Sequence, residues 1–100
     1  MDEQTVREHA QAHGDATVAG DLKRAGGDLT PEAMAQAPGV MGEMPRSLTG
    51  AEIASLIAEG DEFVAVIRYT AAGGEAVVES RWAERDGRPK IVNLRTLEAG

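Results

Sequence analysis

The chain contains no cysteine. Disulfides, thiolate nucleophiles and cysteine-ligated zinc are therefore excluded. Aromatic residues are scarce: Phe63, Tyr69 and Trp82 are the whole complement, and all three fall between positions 63 and 82. The core must then be built chiefly from Val, Ile, Leu, Ala and Met. Positive charge is also short, with 10 Lys and Arg against 17 Asp and Glu and a formal net charge of −7. Phosphate binding needs clustered cations that release counterions, so a nucleic-acid partner is not expected. An anionic membrane surface is disfavoured for the same reason. Arg81, Arg85, Arg88, Lys90 and Arg95 do gather near the C-terminus, but acids are interleaved with them. No apolar run approaches the roughly 18 residues that a membrane-spanning helix needs. Met1-Asp2-Glu3-Gln4 lacks the basic segment and apolar core of a signal peptide. A cytoplasmic location is the expectation, and the Ala- and Gly-rich, Lys-poor composition suggests a GC-rich bacterial genome.

What is present is an ordinary globular balance: 42% apolar and 27% charged residues in a chain of 100. That length predicts one domain, residues 1–100. Such a chain buries only about 60–65% of its unfolded surface, so its core is thin and a partner subunit is a natural supplement.

Residues 2–19 read as a helix, with Asp2 as a cap, Glu3 in the first turn, and Val6, Ala10, His13 and Thr17 on one face. Gly20-Asp21 ends it, and Asp21 can cap a short turn over Leu22–Arg24. After the Gly26-Gly27-Asp28 break, Thr30-Pro31 opens another helix, with Ala33, Met34 and Ala37 expected inward. Pro38-Gly39 is expected to stop it, which leaves residues 38–46 as a loop carrying Met41, Met44 and Pro45. Residues 49–59 fit either a helix, through the capping-box pattern Thr49-Gly50-Ala51-Glu52, or a strand. Strand is favoured because it extends both faces of the sheet that follows.

Residues 62–97 hold three Val- and Ile-rich runs, separated by turn signals at Ala71–Gly74 and at Arg85-Asp86-Gly87. Closing the first turn at Thr70 and Glu75 places Phe63 opposite Trp82, Ala65 opposite Ser80, Ile67 opposite Val78 and Tyr69 opposite Ala76. A three-residue loop at the second turn places Glu84 opposite Arg88, Ser80 opposite Val92 and Val78 opposite Leu94. One face is then apolar. The other mixes Val64, Val66, Arg68, Val77, Glu79, Arg81, Ile91, Asn93 and Arg95. A fully solvated face rarely spends so many β-branched residues, so this one is expected to be a homodimer interface, the alternative being a solvated face chosen for strand propensity.

This order of elements resembles the nuclear transport factor 2-like superfamily in its short, SnoaL-like bacterial form. The likeness is carried by His9–Leu22 (HAQAHGDATVAGDL) with its Gly20-Asp21 junction. It is carried too by Ile67-Arg68-Tyr69 and by the run Glu79–Arg88 (ESRWAERDGR). The resemblance implies an α+β cone of the cystatin-like kind, with N-terminal helices packed on the concave face of a curved antiparallel sheet. It also implies an apolar pocket between the layers and a homodimer through the opposite face. The superfamily holds isomerases, dehydratases, hydrolases and cyclases as well as non-enzymatic binders, so the fold does not select an activity.

No metal site is expected. His9 and His13 share a helix face, but the residues between them lack a ligating acid and no third ligand is signalled. No cofactor motif is present: Gly26-Gly27-Asp28 is not followed by the Lys-Ser/Thr of a phosphate loop. His13 and Tyr69 are the weak candidates for catalysis, as general base and oxyanion donor. No Asp or Glu falls on the core face of the meander, and Asp15, Asp21 and Asp28 are explained as helix-end residues. Met34, Met41, Met44, Phe63, Tyr69 and Trp82 are the candidate lining of a pocket for a small hydrophobic ligand. Three functions stand open: a small-molecule binder, an isomerase-, dehydratase- or cyclase-type enzyme, and a dimerisation module whose pocket is filled by its own side chains.

Overall fold

The computed structural model describes residues 1–97. Three helices precede four strands: α1 (Glu3–Val18), α2 (Leu22–Gly26), α3 (Pro31–Glu43), β1 (Leu48–Glu59), β2 (Glu62–Ala71), β3 (Gly74–Arg85) and β4 (Arg88–Leu97). The strands form one antiparallel sheet in the order β1-β2-β3-β4. The helices pack against one side of this curved sheet, α1 over β1 and β2 and α3 over β4. The fold class is α+β, as expected. No helix among the described residues is long and apolar enough to cross a membrane.

The helix boundaries follow from capping chemistry. Asp2 accepts from the Thr5 amide at 2.8 Å and opens α1. Its end is a Schellman turn: Gly20, at φ 76°, donates to Thr17 O, and Asp21 N donates to Ala16 O at 2.9 Å. Asp21 then caps α2 through the Arg24 amide, and Thr30 caps α3 through the Ala33 amide with Pro31 at its start. The helix does not stop at Pro38 but runs through it to Glu43. Pro38 gives up its bond to the Met34 carbonyl, a defect worth about 3 kcal/mol in a helix interior. Two anchors to β4 hold the helix on either side of that defect. Gln36 Oε1 accepts from Leu94 N at 2.7 Å, and Glu43 Oε2 accepts from the Thr96 hydroxyl at 2.8 Å. Val40 is buried and Ala37 and Met44 pack on the core, so the turn after Pro38 contributes burial as well. Met34 is not buried with them: it is 47% exposed.

Residues 48–59 form a strand, with Leu56 on the core side and Ile57 outward. The β2–β3 register matches expectation, from Phe63↔Trp82 to Thr70↔Glu75. The β3–β4 register departs from it. Asp86 and Gly87 both take positive φ, 54° and 79°, which makes a two-residue type I′ hairpin that pairs Arg85 with Arg88. That one-residue shift would turn every β4 side chain to the other face. A bulge between Arg81 and Trp82 restores the parity beyond Val92. The consequence is local. Ile91 leaves the outer face and lies opposite Trp82 with 0% exposure, while Asn93 and Arg95 stay outward, opposite Arg81 and Glu79. Ile91 is a core residue and not part of any interface. Ser80 faces Leu94, and Val78 faces Thr96.

Beyond β4, Leu29 forms a parallel bridge to Ile91, with Ile91 N bonded to Asp28 O at 2.7 Å and Thr30 N to Ile91 O at 2.9 Å. The α2–α3 connection thereby covers part of the β4 edge. On the other flank, α1 lies so close to β1 that a Cβ on Gly14 would meet the Ala51 Cβ at 3.0 Å.

Candidate functional site

Because α1 covers β1 and β2 while α3 covers β4, a gap opens between the two helices over the middle of the sheet. It is a chamber of about 380 Å³, with α2 at one side. Its walls are almost wholly apolar: Ala25, Leu29, Ala37, Val40, Val78 and Leu94 form much of them, with Met34, Met41, Met44 and Pro38 along α3. Met34 and Met41 are 47% and 43% exposed, which puts them at the rim as flexible, adaptable side chains. His13, Thr17 and Tyr69 supply the polar side chains of the lining. The chamber thus gathers Met34, Met41, Met44, Tyr69 and His13. Phe63 and Trp82 do not line it. Both are buried in the core, and the Trp82 indole donates to Ser80 Oγ at 2.9 Å, which in turn donates to Ala65 O.

His13 is buried on α1, its ring edge-on to Trp82 with centroids 6.1 Å apart. Its Nδ1 lies 3.1 Å from Asp28 Oδ2. A carboxylate only accepts, so Nδ1 is the donor in this pair. Among the described residues no buried side-chain polar atom lacks a partner. Nε2 has no hydrogen-bond partner among the described residues and is therefore not sealed off from solvent. The Tyr69 hydroxyl is held above its ordinary pKa, first by burial and then by the charge of Asp15, with Thr17 opposing. His13 and Tyr69 thus lie on one apolar cavity, and the first is hydrogen-bonded to a carboxylate.

Asp28 is the residue that sequence reasoning missed. It is not the cap of α3, a role Thr30 takes. The Leu29–Ile91 bridge fixes its backbone at β4 and delivers its side chain to α1. Nothing local signals this, since the pairing depends on contacts across the sheet. His9, one turn earlier, has Nδ1 at 2.8 Å from Thr5 O, so the two histidines take different partners. Among the described residues no group of three or more His, Asp or Glu comes together as a metal site.

The opposite face of the sheet is laced by ion pairs within the chain. Arg81 joins Glu59 at 2.8 Å and Glu62 at 3.1 Å, Arg68 joins Glu52 at 2.9 Å, and Arg95 joins Glu79 at 2.9 Å. The carboxylate neighbours raise the Arg81 and Arg95 pKa values further, through hydrogen bonds first. With their charges matched at home, these arginines do not form an anion site. Between them run Val66 and Val77, half-buried, and Ile57, 57% exposed.

The fold and cavity define an α+β domain with an open apolar chamber between its helices and antiparallel sheet, and His13, which Asp28 holds from behind, is on the chamber wall. No protein-family profile, no curated protein and no solved structure matches the chain.

Proposed function

We propose that the chain binds a small hydrophobic molecule in the chamber between α1, α3 and the sheet, as a homodimer of the nuclear transport factor 2-like type. The observation that carries this reading is the chamber itself: about 380 Å³ of apolar-walled space, within the range of small-molecule sites. That favours a ligand over a module filled by its own methionines. The test is to fill the space from within. Ala37→Trp places an indole on the chamber wall, and Ala37→Ser leaves the volume free. Thermal midpoints measured against a panel of neutral apolar probes should rise for the wild type and Ala37→Ser and stay flat for Ala37→Trp. Equal responses in all three would sink the reading.

A second reading, an isomerase- or dehydratase-type enzyme, is favoured by one observation: a His13 hydrogen-bonded to Asp28 shares the chamber lining with Tyr69. In that reading His13 moves a proton on the bound molecule while the Tyr69 hydroxyl, kept protonated by its burial, donates to an oxygen. His13→Gln separates the two readings, since it should abolish turnover but leave binding intact. Loss of binding alone would return His13 to the role of a lining residue.

A further inference from the structure

A second hollow, of about 430 Å³, opens at the end of α1 and under the α3–β1 connection. It shares Thr17, Leu22, Met41 and Met44 with the chamber, so the two hollows adjoin and together outline one trough. The inner part carries no formal charge beyond the titratable His13. The outer part contains one cation, Arg46, and no acid on its walls. The nearby carboxylates are engaged elsewhere: Asp21 caps α2, and Glu43 accepts from the Thr96 hydroxyl. Arg46 makes no ion pair among the described residues, unlike Arg68, Arg81 and Arg95. It is held between Pro45, whose ring fixes the backbone, and Ser47, a non-glycine residue at φ 57°. A left-handed serine is a conformation that the surrounding structure must enforce, and such positions concentrate at ligand sites.

We propose that the trough is built for an amphiphile with a single anionic head: an apolar tail in the chamber towards His13 and Tyr69, and a carboxylate at Arg46. The proposal rests on the chamber being a ligand site and names the class of ligand. A guanidinium over apolar walls takes a carboxylate in a charge-assisted pair, while Met44, Leu48 and Val18 flank the first carbons of the tail. The overall charge of −7 works against anions at long range. Selection for one therefore depends on this local cation and on the absence of lining acids.

The experiment is calorimetric titration of the full chain with decanoate, 1-decanol and decylammonium, each below its aggregation limit, for the wild type, Arg46→Gln and Arg46→Lys. Wild type should prefer decanoate to 1-decanol about fivefold, the scale of a partly exposed ion pair. Arg46→Gln should erase that preference and leave 1-decanol unchanged, Arg46→Lys should retain it, and added salt should weaken decanoate binding in the wild type and Arg46→Lys but not in Arg46→Gln. Equal affinity of the wild type for decanoate and 1-decanol, or an equal loss of both in Arg46→Gln, overturns the amphiphile and leaves the chamber standing. Failure of all three probes to bind the wild type removes the chamber reading and this proposal together.

Discussion

At the residue scale, the chamber depends on two buried polar groups whose environments can be tested one at a time. His13 donates to Asp28 from a buried ring, so Asp28→Ala strands a donor in a place where water replaces the carboxylate poorly. The expected cost is about 1–3 kcal/mol, read as a lower urea midpoint with an unchanged slope. No change would mean that the pair is an incidental contact. Tyr69 provides a pH test whose sign is fixed. Its folded pKa lies above the ordinary phenol value of about 10 because burial penalises the phenolate. A raised folded pKa makes the native state hold the proton longer than the unfolded chain. The stability it brings is therefore complete below pH about 10 and falls as pH rises from there towards the folded value. Other groups also titrate in that range, so the measurement is a difference: wild type should lose more stability between pH 9.5 and 11 than Tyr69→Phe. Parallel curves would place the hydroxyl in water.

At the scale of elements, what was legible in the sequence depended on how local the deciding contact was. The β2–β3 register was readable because it hangs on one tight turn and an unbroken alternation from Phe63 to Tyr69. The β4 register was not, because Asp86 can adopt the left-handed conformation as well as Gly87, and the choice between a two- and a three-residue loop is worth a full reversal of faces. The bulge that repairs the parity has no signature in the alternation of residues 88–97. Helix α3 outlasted Pro38 for a similar reason: Gln36 and Glu43 find their partners on β4, more than fifty positions away. The same distance hid Asp28. Met41 and Met44 were named as pocket residues, though placed on a loop, because their apolar weight was visible before their conformation was. Two substitutions test this level. Gly87→Ala forces a Cβ into the left-handed region at φ 79° and should cost about 1–2 kcal/mol. Thr30→Ala removes both the α3 cap and the hydroxyl bond to Ile91 O at 3.1 Å, with an expected loss of about 1–2 kcal/mol. A Thr30→Ala variant as stable as the wild type would mean that neither bond anchors α3 to the sheet.

At the scale of the whole molecule, the two sides of the sheet divide the labour that the proposed function requires. One side is covered by helices and leaves room for a ligand. The other is bare of helices, yet it spends Ile57, Val66 and Val77 among arginines already matched to Glu52, Glu59, Glu62 and Glu79. A face whose four glutamates are all paired within the chain to three arginines can meet a copy of itself across a two-fold axis with little unpaired charge to bury, which is the usual obstacle to burying a charged sheet. Ile57 is the sharpest probe, because at 57% exposure it stabilises the isolated chain little. Sedimentation equilibrium of the wild type should give twice the 10.5 kDa chain mass, with a thermal midpoint that rises with protein concentration. Ile57→Glu should give the single-chain mass and a midpoint independent of concentration, since the added charge would face its own symmetry mate. A wild type that sediments as one chain at every concentration would leave this face solvated and its valines there for strand propensity alone. The chamber would then have to hold its shape on the thin core of one domain.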